Sequence, residues 1–441
     1  ATIQDAIDAA APGDFILVAD GTYDSFTVDK SLKILSINGA ENVIIEGPGA
    51  SQQAGIRIEE GVEDVIIGAS GQGFTINASS GDLAAVYLAE GASDVTIEGN
   101  VLNGGSGHAF LTTGSISDVT VTDNALNADG PAAVAYVNGT ASLGSERASD
   151  NVDFTNNTID GGSNAGLLLG NEATNSEITG NTFSGDSSYA QVELWAAGDT
   201  VSGNSFSANG DVAVLDSTSS YDEADLVADN TFTNAVYIDG EDTIYTSIQA
   251  AVDAASDGDT IVVGPGTYEP FIVRSTDAAN LKIVASENGD TIIDGTDPSG
   301  PGRLIDIYAD GTEVSNFVIN GPGGLDVGGI HVGIAIRGQD CVVENNTISN
   351  ILTGIQTGSV PAEARATITG NTVSSEYGIS LQSSGNIVSG NTVDASVEGV
   401  GLTTGDNTFT DNIFTFGDTG LVLYVGATTT NLVASNNTVT I

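Results

Sequence analysis

Asparagine recurs along this chain at the end of one short turn after another, each time two residues before an apolar side chain. Toward the C-terminus the series runs Asn346, Asn371, Asn391, Asn412 and Asn437, with gaps of 25, 20, 21 and 25 residues. Toward the N-terminus it runs Asn100, Asn124, Asn157, Asn181, Asn204 and Asn230, with one long gap of 33 residues between Asn124 and Asn157. That excess fits an inserted loop around Ser142–Asp150, which contains Arg147. A second landmark keeps step with the first: Gly333-Ile334, Gly354-Ile355, Gly378-Ile379, Gly399-Val400 and Gly420-Leu421. Two landmarks sharing a period make each period one structural unit. Between landmarks lie short β-prone runs with no helical periodicity, which excludes helical solenoids and crossover α/β units. A coil of about 22 residues built from such strands stacks on its neighbour, strand over strand, about 4.8 Å apart. Stacking aligns equivalent residues, so the asparagines predict a ladder of side-chain amides inside the coil or at a corner. Glycine is expected to supply left-handed backbone at the corners.

A longer repeat lies over this one. Thr2-Ile3-Gln4-Asp5-Ala6-Ile7-Asp8-Ala9-Ala10 returns as Ser247-Ile248-Gln249-Ala250-Ala251-Val252-Asp253-Ala254-Ala255, and Gly21-Thr22-Tyr23 returns as Gly266-Thr267-Tyr268, at an offset of 245 residues. Ile3, Ala6, Ile7 and Ala10 have helical spacing, as do Ile248, Ala251, Val252 and Ala255. Each helix is stopped by Pro12-Gly13 or Asp257-Gly258 and followed by a β-rich run. Two tandem copies are expected, 1–235 and 236–441.

These residues carry a resemblance. The opening Ile-Gln, the Gly-Asp and the Gly-Thr-Tyr that follow, together with the periodic coils, resemble the right-handed parallel β-helix, or pectin-lyase-like, superfamily across nearly the whole chain. The resemblance implies an all-β solenoid with each copy opened by a short capping α-helix. It is nearly silent on function, because that fold hosts many activities.

The charge narrows the partners. Against 59 Asp and Glu stand 9 Lys and Arg, a formal net charge of −50. Such a field repels nucleic acid and anionic membrane. It fits either solubility in salty surroundings or bound calcium. Cys341 is the only cysteine, so no intrachain disulfide forms, and its apolar neighbours suggest a small buried hydrophobe. No run is long and apolar enough for a membrane helix, and neither a signal peptide nor an initial Met is present, so the chain reads as a processed or excised piece.

Enzymes of the resembled superfamily act mostly on acidic polysaccharides. Its lyases pair calcium-binding carboxylates with an Arg or Lys base, and its hydrolases cluster Asp. The hydrolase Arg-Ile-Lys is absent, since Arg57-Ile58 leads to Glu59, and so is the Asp-Pro-His of the epimerases, since Asp297-Pro298 leads to Ser299. Among the cations Arg337 is the best catalytic candidate. In Ile330-His331-Val332-Gly333-Ile334-Ala335-Ile336-Arg337 strict alternation puts His331 and Arg337 outward on one side, and Asp340 follows closely. Six residues separate them, about 20 Å of straight strand, so a bend at Gly333 is needed. Asp306 and Asp310 are candidates to hold a cation nearby, and Asp222, Glu223 and Asp225 form a second candidate calcium loop. Trp195, the sole Trp, is either a sugar-stacking platform or a coil filler. His108 has no evident partner.

Two functions stay open. One is a secreted or cell-surface scaffold for adhesion, extracellular matrix or filament assembly, favoured by the duplication and the scarcity of cations. The other is a calcium-assisted polysaccharide lyase or epimerase acting on an acidic glycan. The strand-like ending at Asn437-Thr438-Val439-Thr440-Ile441 also suggests end-to-end self-association.

Overall fold

The computed structural model describes all residues except 1, 50–52, 138–148, 162–163, 171–172, 186–188, 208–209, 287–289, 297–301, 324–330, 359–364, 417–420, 427–429 and 441. The expected loop with Arg147 and the Asp297-Pro298 pair lie outside the described residues, as does Gly420. The chain divides into two compact units, Ala1–Thr233 with Gly240–Thr246, and Asn234–Asp239 with Ser247–Ile441. Each is a right-handed parallel β-helix, in which successive coils stack their strands in parallel. In the first unit the first sheet stacks Asp14–Val18, Leu32–Ser36, Glu63–Ile67 and Ser93–Glu98 in parallel, and later coils continue it. The third stacks Phe26–Val28, Ala54–Ile58, Ala84–Leu88 and His108–Thr112. In the second unit successive strands run together, as in Thr347–Thr357, Thr372–Leu381 and Thr392–Leu402.

The asparagines build the predicted ladder, and it is buried. Asn371 is fully buried. Its Oδ1 accepts the backbone N–H of Asn346 at 3.0 Å and the side-chain amide of Asn346 at 3.1 Å. Its own Nδ2 donates to Val343 O at 2.9 Å and to Asn391 Oδ1 at 3.0 Å. The same exchange links Asn391 to Asn412 and Asn412 to Asn437, and in the first unit Asn100 through Asn124, Asn157, Asn181 and Asn204 to Asn230. Immediately before a ladder residue the chain turns through the left-handed region, as at Gly99, Asp123, Asn156, Gly180, Asn345, Gly370 and Asp411. Glycine, Asn and Asp are the residues that enter it most cheaply. Two residues after the ladder the side chain points into the core. There Phe183, Phe206 and Phe232 stack face to face, with centroids 4.9 and 4.8 Å apart, one rung each.

The second landmark works differently from the expectation. Gly333, Gly354 and Gly378 are not left-handed corners. A Cβ at Gly354 would lie 2.3 Å from Val373 Cγ1, and one at Gly378 2.4 Å from Val393 Cγ1, so these glycines make room for the core of the next coil. The last of the series is also out of register, because Leu421 pairs with Glu398, and Leu423 is the partner of Val400.

The repeated Ile-Gln opening has a physical reason in both units. Helix α1 (Ile3–Ala9) begins with a capping box between Thr2 and Asp5, and α3 (Ile248–Ala254) is capped by Ser247; α2 (Glu223–Asp229) lies between them in the chain. Ile3 and Ile248 are buried, plugging the apolar end of a coil. Gln4 gives its amide to the otherwise unpaired strand edge, accepting from Thr27 N at 2.9 Å and donating to Thr27 O at 3.3 Å. Gln249 does the same for Ile272, at 2.9 and 3.1 Å. Cys341 is buried, and desolvation pushes its thiol up to about 12, as expected of an inert core residue.

If the ladder holds the coils in register, Asn371→Leu leaves the buried backbone N–H and side-chain amide of Asn346 without their acceptor. Loss of roughly 2–4 kcal/mol is expected in urea unfolding. An unchanged midpoint would mean that the amide chain contributes nothing.

Candidate functional site

The candidates gathered around Arg337 are not brought together as one site. Arg337 Nε donates to Asp306 Oδ1 at 2.9 Å, and its guanidinium lies over the Tyr308 ring, 4.9 Å from the centroid. Arg303 approaches the same carboxylate at 3.8 Å. Asp340 turns away to an exposed ion pair with Arg365 at 3.1 Å. His331, expected to face outward with Arg337, is buried at 5% exposure. A Cβ on Gly333 would meet Ile348 Cγ2 at 2.8 Å, so the strand passes close to the core there, while its register with both neighbours runs through unshifted.

The expected cation clusters fare similarly. Asp306 is occupied by arginine, and Asp310 accepts the backbone N–H of Gln339 at 2.7 Å. Asp222 caps α2 by accepting from Ala224 N and Asp225 N, and Glu223 is buried. Among the described residues no group of three or more His, Cys, Asp or Glu is placed to coordinate a metal ion directly.

Trp195 leads to a different site. In the third sheet of the first unit Ile56, Ile58, Val86 and Leu88 fill the coil interior. Between them one outer column runs in register through Arg57, Tyr87, Leu111, Tyr136, Leu168 and Glu193. Small residues flank it, so the outer column packs into apolar clusters of its own, around Ala54, Ala84, Tyr87 and Leu111 and around Ala133, Ala165 and Leu168, with Tyr136 against both. Arg57 lies over the Tyr87 ring at 4.8 Å. The far end of this face opens into a cleft of about 370 Å³ whose walls include His108, Tyr136, Tyr189, Glu193 and Trp195. Tyr189 and Trp195 are 50% and 39% exposed, and present ring surface to solvent.

The polar groups of the cleft are held in place. His108 Nδ1 is 2.6 Å from Ala133 O, a contact in which the ring nitrogen donates, leaving Nε2 as an acceptor. Burial lowers the pKa of His108, so the imidazole is neutral. Its ring lies 5.8 Å from Tyr136 at a tilt of 43°. Trp195 Nε1 donates to Glu193 Oε1. Burial raises the Glu193 pKa, opposed by that hydrogen bond, and burial followed by the charge of Glu193 raises that of Tyr136. None of the described residues lining the cleft is Lys or Arg. Aromatic faces with a few fixed acceptors suit the apolar faces and hydroxyls of sugar rings. Sequence reading singled out Trp195 but not His108, Tyr136, Tyr189 or Glu193. Their only available signal was the matching rung position of Tyr136 and Glu193.

Glu193 is expected to titrate above the ordinary glutamate value of 4.5, because its charged form is the desolvated one. As the sole Trp, Trp195 reports it directly. Emission should change with a midpoint above that value, and Glu193→Gln should remove the transition. An unchanged titration in the variant would dissociate the two side chains.

Comparison with known proteins follows this geometry. The family described as "Right handed beta helix region" matches residues 25–183 and 304–440. The family described as "Periplasmic copper-binding protein (NosD)" matches residues 133–251. No curated protein matches the chain. Similar solved structures include an Azotobacter vinelandii mannuronan C-5 epimerase A-module, at 12% identity, covering 99% of this chain and 93% of that one, TM-score 0.29. The Streptococcus pneumoniae surface protein and adhesin PfbA is 12% identical, with coverage of 96% and 94% and TM-score 0.38. A Paenibacillus alginate lyase is 15% identical, with coverage of 99% and 95% and TM-score 0.19. Its stacked coils and the two matched segments, which span more than half of its length, make this chain a member of the right-handed β-helix family.

Proposed function

We propose that this protein is an extracellular or cell-surface β-helix scaffold whose first unit carries a glycan-binding cleft. The observation behind the reading is the cleft of Tyr136, Tyr189, Trp195, His108 and Glu193. On a chain of net charge −50, the solvent-exposed rings of Tyr189 and Trp195 call for a partner with apolar surface. Sugar rings supply it, and their hydroxyls meet His108 Nε2 and the Glu193 carboxylate. With no cation among its described lining residues, the cleft favours neutral glycans over uronates.

The lyase or epimerase reading has less support. Arg337 is held by Asp306 and stacked on Tyr308, so its geometry is that of a structural ion pair. Copper is not carried over from the partial family match. The sequence has no Met, one Cys and two His, too few soft or imidazole ligands. Two tandem copies, 1–235 and 236–441, as the repeated opening suggests, would fit a scaffold.

Titration with neutral oligosaccharides should give a saturable change in Trp195 emission. By calorimetry Tyr136→Ala and Trp195→Ala should each weaken binding about tenfold, the loss of roughly 1.4 kcal/mol of ring stacking. Binding that survives both substitutions, or no response across a neutral glycan array, would refute the cleft as the binding surface.

A further inference from the structure

The two units open alike but differ in what lies along their first strand. That strand is Asp14–Val18 in the first unit and Thr260–Val263 in the second. In the second unit the segment Asn234–Asp239 is added to it. Val236, Tyr237 and Ile238 pair antiparallel with Val263, Val262 and Ile261. Asp239 N donates to Thr260 O at 2.9 Å, and Gly264 N donates to Ala235 O at 2.8 Å. Beyond them Asn234 Nδ2 donates to Thr267 O at 3.0 Å, and Ala235 N donates to the Tyr268 hydroxyl at 3.1 Å. Tyr268 is 2% exposed.

The first unit presents the same receiving edge with no strand on it. Among the described residues Asp14–Val18 ends its sheet and pairs only with Leu32–Ser36. Ile16 and Val18 are buried, as Ile261 and Val263 are. The Tyr23 hydroxyl donates to Ala19 O at 2.8 Å, as that of Tyr268 does to Gly264 O at 3.0 Å, yet Tyr23 is half-exposed. Thr260 and Val262 are half-buried, whereas Phe15 and Leu17 are 64% and 60% exposed. Val18 O accepts from Ile37 N on the next coil, so alternation turns the backbone groups of Leu17 to the open edge. An apolar strand with such an edge is a ready partner for another strand.

We propose that Asp14–Val18 receives an extended segment of a partner polypeptide as an antiparallel strand. The second unit shows the chemistry that fits: two apolar residues turned inward, like Val236 and Ile238, with a ring between them opposite Leu17, where Tyr237 meets Val262. An acidic residue follows opposite Phe15, in the place of Asp239. Lys33 lies over the Phe15 ring, 5.3 Å from its centroid, and in a chain of net charge −50 this cation favours that acid. A second copy of the chain is the poorer occupant, because its Asn234–Asp239 segment is already paired within its own second unit. The edge is independent of the glycan cleft.

Titration of a fluorescently labelled peptide, with the sequence of residues 233–240, by the full chain tests the proposal. Anisotropy should rise to saturation, and a peptide carrying Tyr237→Pro, which lacks the central donor, should not bind. In the chain, Leu17→Pro removes a donor from the open edge, where a strand tolerates proline. It should keep the parent's melting temperature and weaken binding at least tenfold. Leu17→Lys keeps the donor, removes the apolar contact and should weaken binding severalfold. No saturable binding by the parent, or equal binding by the parent and both variants, would overturn the proposal. So would a dimer of the chain alone in sedimentation that either Leu17 variant dissociates, because the occupant would then be a second copy.

Discussion

From Asn100 onward in the first unit and Asn346 onward in the second, a ladder of asparagines ties each coil to the next. The side chain accepts from the backbone and the amide of one neighbour and donates to the other, as Asn371 does between Asn346 and Asn391. A register slip of one residue would leave these groups unpaired in an apolar interior, at the cost of several hydrogen bonds per coil. The bonds are neutral, which matters in a chain of charge −50, because ionised groups at the same places would repel along the stack. Except at Asn230, which follows α2, a left-handed residue before the ladder position turns the chain there, and the apolar residue two places on continues the core.

With the interior fixed in this way, the outer faces are free to differ. In the first unit the outer column of the third sheet reads Arg57, Tyr87, Leu111, Tyr136, Leu168 and Glu193. In the second unit the corresponding column reads Ile272, Asp306, Ala335, Gln356 and Ser380. One is an apolar surface leading into an aromatic cleft, and the other is small and polar around an arginine-bound carboxylate. The ladder asks nothing of these positions, so the glycan-binding reading rests on residues the fold does not need.

This division explains what was legible in the sequence. The ladder could be read because one residue type recurs at one place in successive coils. The Ile-Gln opening could be read because it occurs twice, although its task of closing a strand edge emerges only from the bonds of Gln4 and Gln249. The cleft could not be read, because Tyr136 and Glu193 stand two rungs apart, and Tyr189 and Trp195 lie outside their column at the two ends of the Ala190–Leu194 strand. The grouping of His331 with Arg337 failed because it took alternation alone to decide exposure, whereas His331 is buried.

The most direct test of the account is a crystal structure of the protein with a neutral oligosaccharide selected on a glycan array. The account predicts a sugar ring against the faces of Trp195 and Tyr136, with a hydroxyl within hydrogen-bond distance of His108 Nε2 or Glu193. A ligand seated on another face, with this cleft empty, would contradict it.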